Sequence, residues 1–529
     1  MTLGSQQRRD AIIVVGAGIG GLAAALELAA AGRPVHVLEA HENLGGRIRQ
    51  VPSAAGGVDT GPTVLTMRHV LDRLFDLAGT ALDDHLTLHR QTILARHWWH
   101  GSGPLDLFAD PGASAHAIED FAGPRERAAF EAFHDQSARL FKAFQAPFME
   151  DAAPSILTLG LRAMADPRLL PALLPGLTLS RALRLRFRDK RLRQLFGRYA
   201  TYVGGSPFRA PALLGLIWQA EAGGVWTVEG GMTALVDALA TAIRAQGGVV
   251  ETRAPVARIL TDSSGITGVA LENGRVIAGS HVVFNGDPRA LATGLLGDQT
   301  RHVARQTRTE PRSLSAHVWA FAAEPSGVEL AHHNVFFAEN EARDFGALHR
   351  GQLADDTTLY VCAQDRGFGR AAPLTERFEI ILNAPPTEGR DPDPEREFDA
   401  CLQRTFPALS RYGLKFSNQP TQAALQTPTK FAKRFPATNG SLYGQSPHGM
   451  TASLKRPRAA TPVPGLWLVG GGCHPGAGVP MAALSGRHAA EAILKARTFT
   501  SPYRRTDTPG GMSTPSPLAE PVPSRSSPS

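Results

Sequence analysis

The sequence is poor in cysteine and in long apolar runs, and it lacks the usual metal and hydrolase signatures. Cys362, Cys401 and Cys473 are widely spaced in a chain of 529 residues. They form neither a disulfide framework nor a metal-ligand pattern, which points to a reducing cytosol. No uninterrupted apolar stretch reaches about 18 residues, so a spanning helix is not expected and any membrane contact would be monotopic. The opening MTLGSQQRRD is polar and does not resemble a secretion signal. No Ser-His-Asp pattern, no metal site and no internal repeat is recognisable. Charge of neither sign dominates: 55 basic residues face 48 acidic ones, for a net +7. That balance is compatible with an anionic membrane surface or nucleic acid and establishes neither. The length calls for two or three folded units.

What the chain does have is glycine at telling positions. Residues 11–15 form an apolar strand that runs into Gly16-x-Gly18-x-x-Gly21, a helical pattern, a second strand at 34–38 and then Glu39. Gly16 permits a tight turn, Gly18 a close approach of backbone to a pyrophosphate, and Gly21 close packing of helix on strand. The helix N-terminus faces the phosphates, and Glu39 can accept hydrogen bonds from a ribose. Leu44-Gly45-Gly46-Arg47 follows, and Arg47 offers a fork of donors for phosphate.

A second glycine-rich strand end lies near the far end of the chain. Residues 466–469 are apolar and lead into GGGCHPGAGVP, residues 470–480, then a helical run at 481–496. Backbone N–H groups at such a turn can approach a polar cofactor. Between these segments the pattern predicts helices at 121–144, 182–198 and 233–245. It predicts strands at 249–252, 256–260, 266–272, 276–278 and 281–285, and further strands at 315–322, 358–363 and 378–383. Residues 105–225 read as mainly helical. From about residue 500 the composition is that of a disordered tail.

The two glycine segments, with residues 58–63, 202–207 (YVGGSP), 226–232 (WTVEGGM) and 284–288 (FNGDP), resemble the carotenoid/retinoid oxidoreductase (phytoene desaturase-like) family. The resemblance covers residues 10 to 497. It implies an α/β fold: a Rossmann-like FAD-binding domain assembled from discontinuous segments, with an inserted α+β substrate and membrane-associated domain. The FAD-binding segments would be 9–90, 226–300 and 426–498. A helical substrate segment would occupy 91–225, a substrate-domain sheet 301–425, and a tail 499–529. It also implies noncovalent FAD, held by Gly16, Gly18, Gly21, Glu39, Arg47, Gly61, Pro62, Thr63, Val256, Gly471, Gly472, Val479 and Pro480. Cys473, where the family often has Thr, reads as a small buried residue.

The implied activity is desaturation of an acyclic carotenoid, specifically introduction of a C3–C4 double bond into a 1-hydroxylated substrate. Hydride transfer to flavin N5 would be followed by proton loss. Other carotenoid dehydrogenation or isomerisation, amine oxidation and noncatalytic carotenoid binding remain alternatives. His474 is a weak candidate base. Electrons would leave to quinone or oxygen. A basic run, Arg181 through Arg198, is interleaved with apolar residues. It suggests a peripheral grip on the inner or photosynthetic membrane through Arg184, Arg188 and Arg191. No nucleic-acid partner is expected.

Overall fold

A computed structural model describes residues 11–389 and 392–498. The expected tail lies outside them. A parallel five-stranded sheet holds the chain's distant parts together. Its strands run in the order Leu466–Leu468, His281–Phe284, Ile12–Val15, Val35–Leu38 and Val249–Glu251. Three sequence-distant pieces therefore complete one sheet. Ile12, Ile13 and Val14 are fully buried, as a strand covered on both faces requires.

Helix Ile19–Ala30 packs against the last helix, Val479–Thr498, through small residues. A Cβ placed on Gly486 would stand 2.4 Å from the Gly20 carbonyl oxygen and 2.8 Å from the Ala24 nitrogen. The two backbones are therefore nearly in contact, and only glycine fits at the crossing. A three-stranded antiparallel sheet, Val256–Asp262, Gly265–Leu271 and Val276–Ala278, flanks this unit.

A seven-stranded sheet forms the second unit. It runs Leu425–Gln426, Ser315–Ala323, Glu376–Ala384, Leu359–Ala363, His333–Phe336, Ile93–Trp98 and Leu105–Phe108. The last two strands correct the mainly helical reading of residues 105–225 and its 91–225 segment. They form a hairpin across the turn at residues 99–104, and Leu94, Leu105 and Leu107 are buried. Each strand is too short for its alternation to stand out beside the helices that follow.

Those helices are shorter than their apolar periodicity suggests. The run at 121–144 is interrupted at Gly123, where Asp110-capped Pro111–Ala122 gives way to Pro124–Phe144. The run at 182–198 splits into Leu179–Arg186 and Lys190–Gly197 because Asp189 caps the second helix by accepting from the Arg191 N–H. Phe130, Phe133, Phe187, Phe196, Tyr199 and Trp218 make the aromatic core beneath them. No described helix is long and apolar enough to cross a membrane.

Candidate active site

The first glycine turn is built as its spacing requires. Gly16 has φ +97°, and a Cβ on Gly21 would lie 2.2 Å from the Gly16 carbonyl oxygen. Asn285, at the end of strand His281–Phe284, donates from Nδ2 to that same oxygen at 3.1 Å. A Cβ on Gly18 would approach Asn285 Nδ2 to 2.8 Å, and one on Gly470 would approach Asn285 Oδ1 to 2.6 Å. Asn285 thus joins the two glycine segments, a duty its place in the FNGDP motif did not reveal. The Glu39 carboxylate accepts from the N–H groups of Ala17 (2.8 Å) and His41 (3.0 Å). It fixes the turn and keeps further acceptor capacity. Strand Val256–Asp262 is tied nearby, because the Ala254 N–H donates to the Glu39 carbonyl.

Arg47 is half-buried, with Nη2 donating to the Ser441 carbonyl at 3.5 Å and its guanidinium over the Phe435 ring. Its Nε has no partner, and burial pushes its guanidinium below the ordinary arginine range. Arg312 and Asp287 act on it electrostatically, and it in turn acts on Arg456. Asp287 is already paired with Arg312. Arg456 donates to the carbonyls of Gly471 (2.7 Å) and Tyr443 (3.0 Å) and is lowered to about 10 by burial. Two buried guanidiniums and the half-buried Arg47 around one carboxylate leave positive charge that suits an anion. With the glycine cradle, this donor set fits a dinucleotide diphosphate. Sequence patterns pointed to Arg47 alone. Arg312 and Arg456 sit in no motif, and an arginine's burial is invisible in sequence.

Gly61, Pro62, Thr63, Val479 and Pro480 line a cavity of about 650 Å³. The cavity passes between the parallel sheet's end and the second unit, and its lining is mostly apolar. Phe141, Phe144, Phe148, Leu213, Ile217 and Phe337 supply much of the wall. The π-helical turn Gln145–Met149 delivers Phe148 and Met149 to it. Gly471 and Gly472 lie just behind this wall: a Cβ on Gly471 would be 3.8 Å from Arg47 Nη1, and one on Gly472 would be 2.8 Å from Pro288.

His474 is placed differently from a base at a reacting centre. It is buried, its ring bonds the Asp151 carbonyl through Nε2 at 2.9 Å, and it stacks on His488. Burial lowers its pKa to about 4. Its neighbour Pro475 lines the cavity, whereas His474 does not. The Trp98-Trp99 pair and Trp218 belong to packing: Trp218 is fully buried and Trp99 donates to Gln194 at 3.0 Å.

A parallel sheet whose strand ends carry glycine turns, with an acid closing the second strand and arginines clustered nearby, is the framework of an α/β dinucleotide-dependent oxidoreductase. Residues 19–494 match the family model described as flavin containing amine oxidoreductase. The chain belongs to that family, and its dinucleotide is FAD. It is 56% identical over 483 residues to the hydroxyneurosporene desaturase of Cereibacter sphaeroides, covering 91% of this chain and 97% of the relative. It is 48% identical to the hydroxyneurosporene desaturase of Rhodobacter capsulatus, covering 92% and 98%. Among solved structures, cyclohexylamine oxidase from Brevibacterium oxydans superposes with a TM-score of 0.55 at 18% identity, over 93% of this chain and all of that one. That likeness is one of fold.

Proposed function

We propose that this chain is an FAD-dependent desaturase that introduces the C3–C4 double bond into a 1-hydroxylated acyclic carotenoid. The observation that carries the reading is the cavity: about 650 Å³, mostly apolar with aromatic side chains on its wall, and lined at the dinucleotide end by Gly61–Thr63 and Val479–Pro480. The names of the relatives at 56% and 48% identity point the same way.

FAD, when bound, supplies the hydride-accepting chemistry. The chain's own residues bind and orient. The glycine turns at 16–21 and 470–472 and the arginines 47 and 456 hold the dinucleotide, in the Rossmann-like manner the three-piece sheet suggests. The cavity wall lays the polyene in one line and excludes water, so that placement carries much of the rate. Charge developing on the substrate spreads along its conjugated chain, and a wall carrying Phe141, Phe144, Phe148 and Phe337 suits that polarisable chain. A strong acid–base pair is therefore not required. The flavin is held noncovalently: Cys473 is fully buried, its thiol is pushed up by burial, and Sγ donates to the Val469 carbonyl at 3.5 Å. Electrons leave to a quinone or to oxygen.

The substrate enters from a membrane surface. Leu157 (71% exposed), Met164 (65%), Leu161 (54%) and Leu174 (53%) project from the segment that also contributes Leu159 and Leu173 to the cavity wall. Arg184 and Arg188 are exposed close in sequence to Leu185 and suit anionic headgroups. Arg191 is engaged internally, paired with Asp189 at 2.6 Å and stacked 3.9 Å from the Phe121 ring.

The test is anaerobic mixing of purified, flavin-loaded protein with 1-hydroxyneurosporene. Flavin bleaching and a product with one more conjugated double bond are expected. No bleaching by the carotenoid, with bleaching by an amine, would make the protein an amine oxidase.

A further inference from the structure

The cavity has one feature that its apolar character does not explain. Arg198 and Glu221 form an ion pair at 3.4 Å, with side chains 8% and 4% exposed. Among the described residues it is the only ion pair with both members on the cavity wall. Burying such a pair beside an apolar ligand costs more than it returns unless the charges have something to do. Both partners act on Tyr202. Arg198 Nη1 donates to the Tyr202 hydroxyl at 2.6 Å, and that hydroxyl donates to Glu221 Oε1. Tyr199, fully buried, donates to Glu221 Oε2 at 2.7 Å and completes the carboxylate's shell. Burial and the Glu221 charge keep the Tyr202 phenol protonated. A phenol has one donor and two acceptor positions. One donor and one acceptor are spent, so one acceptor position remains on a residue that lines the cavity.

Two connections put this group near the dinucleotide end. The segment carrying it ends at Gly204, φ +72°, where a Cβ would come 2.4 Å from the ring of Tyr443. Tyr443 lines the same cavity and lies within the electrostatic reach of Arg47. On the second unit, Tyr360 shares a 2.8 Å hydrogen bond with Thr63 and also feels Tyr202.

We propose that Tyr202, fixed between Arg198 and Glu221, is the acceptor for the tertiary hydroxyl of the substrate and thereby sets which carbon–carbon bond is presented for oxidation. This rests on the desaturase reading above. In a 1-hydroxylated chain the oxygen-bearing carbon is two bonds from C3. A hydroxyl anchor at the reacting end therefore fixes the C3–C4 register, which a uniformly apolar tunnel would leave free to slide. Tyr202 is a substrate-binding residue in this scheme; Arg198 and Glu221 position it.

The experiment compares three carotenoids, 1-hydroxyneurosporene, neurosporene and 1-methoxyneurosporene, in anaerobic flavin reduction by wild type and Tyr202→Phe holoenzyme. The wild type should prefer the hydroxylated chain to both others by roughly 10- to 100-fold in kcat/KM, the cost of leaving a buried polar group unpaired. Tyr202→Phe should lose that preference, its kcat/KM on 1-hydroxyneurosporene falling toward its values on the other two chains. Glu221→Gln, which keeps the shape and loosens the hold on Tyr202, should show the same selective loss in smaller measure. Equal falls with all three substrates, or a preference untouched by Tyr202→Phe, overturns the assignment and leaves the desaturase reading standing. If Tyr202→Phe fails to retain flavin, the wild type decides alone: equal rates with the hydroxy and methoxy chains overturn it. Absence of bleaching by every carotenoid defeats the desaturase reading and this assignment with it.

Discussion

The dinucleotide end of the molecule is made of backbone, whereas the walls of the cavity are made of side chains. At Gly16, Gly18, Gly21 and Gly470 the chain removes every Cβ so that main-chain atoms and Asn285 can meet. Along the cavity it does the reverse and fills the wall with Phe141, Phe144, Phe148, Leu213 and Ile217. The first kind of site tolerates almost no variation, because an added methyl collides at Gly18, Gly21 and Gly470 and the positive φ at Gly16 strains any side chain. The second tolerates exchange among apolar residues of similar volume. It can therefore change substrate while the cofactor end stays fixed.

The largest test of that contrast is Gly21→Ala. Its Cβ would sit 2.2 Å from the Gly16 oxygen, so the turn must open, at a cost of about 3 kcal/mol or more. The purified protein should lack flavin absorbance, whereas Leu213→Met in the cavity should retain it. Full flavin content in the glycine variant would break the contrast. Arg47→Ala comes next. Losing a half-buried, charge-assisted donor should weaken FAD binding roughly 10- to 100-fold, read from flavin release on dilution. An unchanged affinity would shift the anchoring to Arg456 and the backbone.

On the cavity side, Leu157→Asp with Leu161→Asp should abolish most flotation with anionic liposomes. Charge reversal of Arg184 and Arg188 should lower binding by about 30-fold or more at low salt, at about 1 kcal/mol for each positive charge lost. Arg191→Glu should instead cost stability, since its partners are Asp189 and Phe121. Equal loss of flotation for all three arginines would restore the simple basic-patch picture.

The smallest effect concerns His474. Its pKa is lowered to about 4 in the folded chain against 6.5 for a free imidazole. The unfolded chain thus binds the extra proton first as pH falls through 6.5, and stability declines until about pH 4. His474→Gln, which can still donate to Asp151, should remove about 2 kcal/mol of that decline at pH 5 and leave turnover within about twofold. A large fall in turnover with stability unchanged would return His474 to the reacting centre.

The same contrast explains what could be read from the sequence. Gly16 to Glu39 and residues 466–480 were legible because local backbone geometry dictates their residue types. Most strands from residue 249 onward fall where alternation and turn signals put them. The hairpin at 93–108 was missed because its two strands matter only once paired with His333–Phe336. Arg198, Tyr202 and Glu221 gave no joint signal. They lie up to 23 residues apart, and their relation is made by a turn of helix and the packing around Trp218, not by spacing. Arg191 misled for the opposite reason: most of its neighbours in sequence are basic, but its partners are the one acid among them, Asp189, and the distant Phe121 ring.

One consequence follows from the parallel sheet for how the protein is made. Strand Leu466–Leu468 pairs with His281–Phe284, which pairs with Ile12–Val15. The first glycine turn therefore emerges from the ribosome long before the strand that brings Gly470 beside Asn285. Strand Ile12–Val15 waits with one flank unpaired until residues 281–284 are made, and His281–Phe284 then waits for residues 466–468, when nearly the whole chain has been synthesised. Such late, long-range pairing folds slowly and exposes apolar surface meanwhile. Supply of FAD at the moment of release, more than the affinity of the finished site, should then govern how much active protein a cell accumulates.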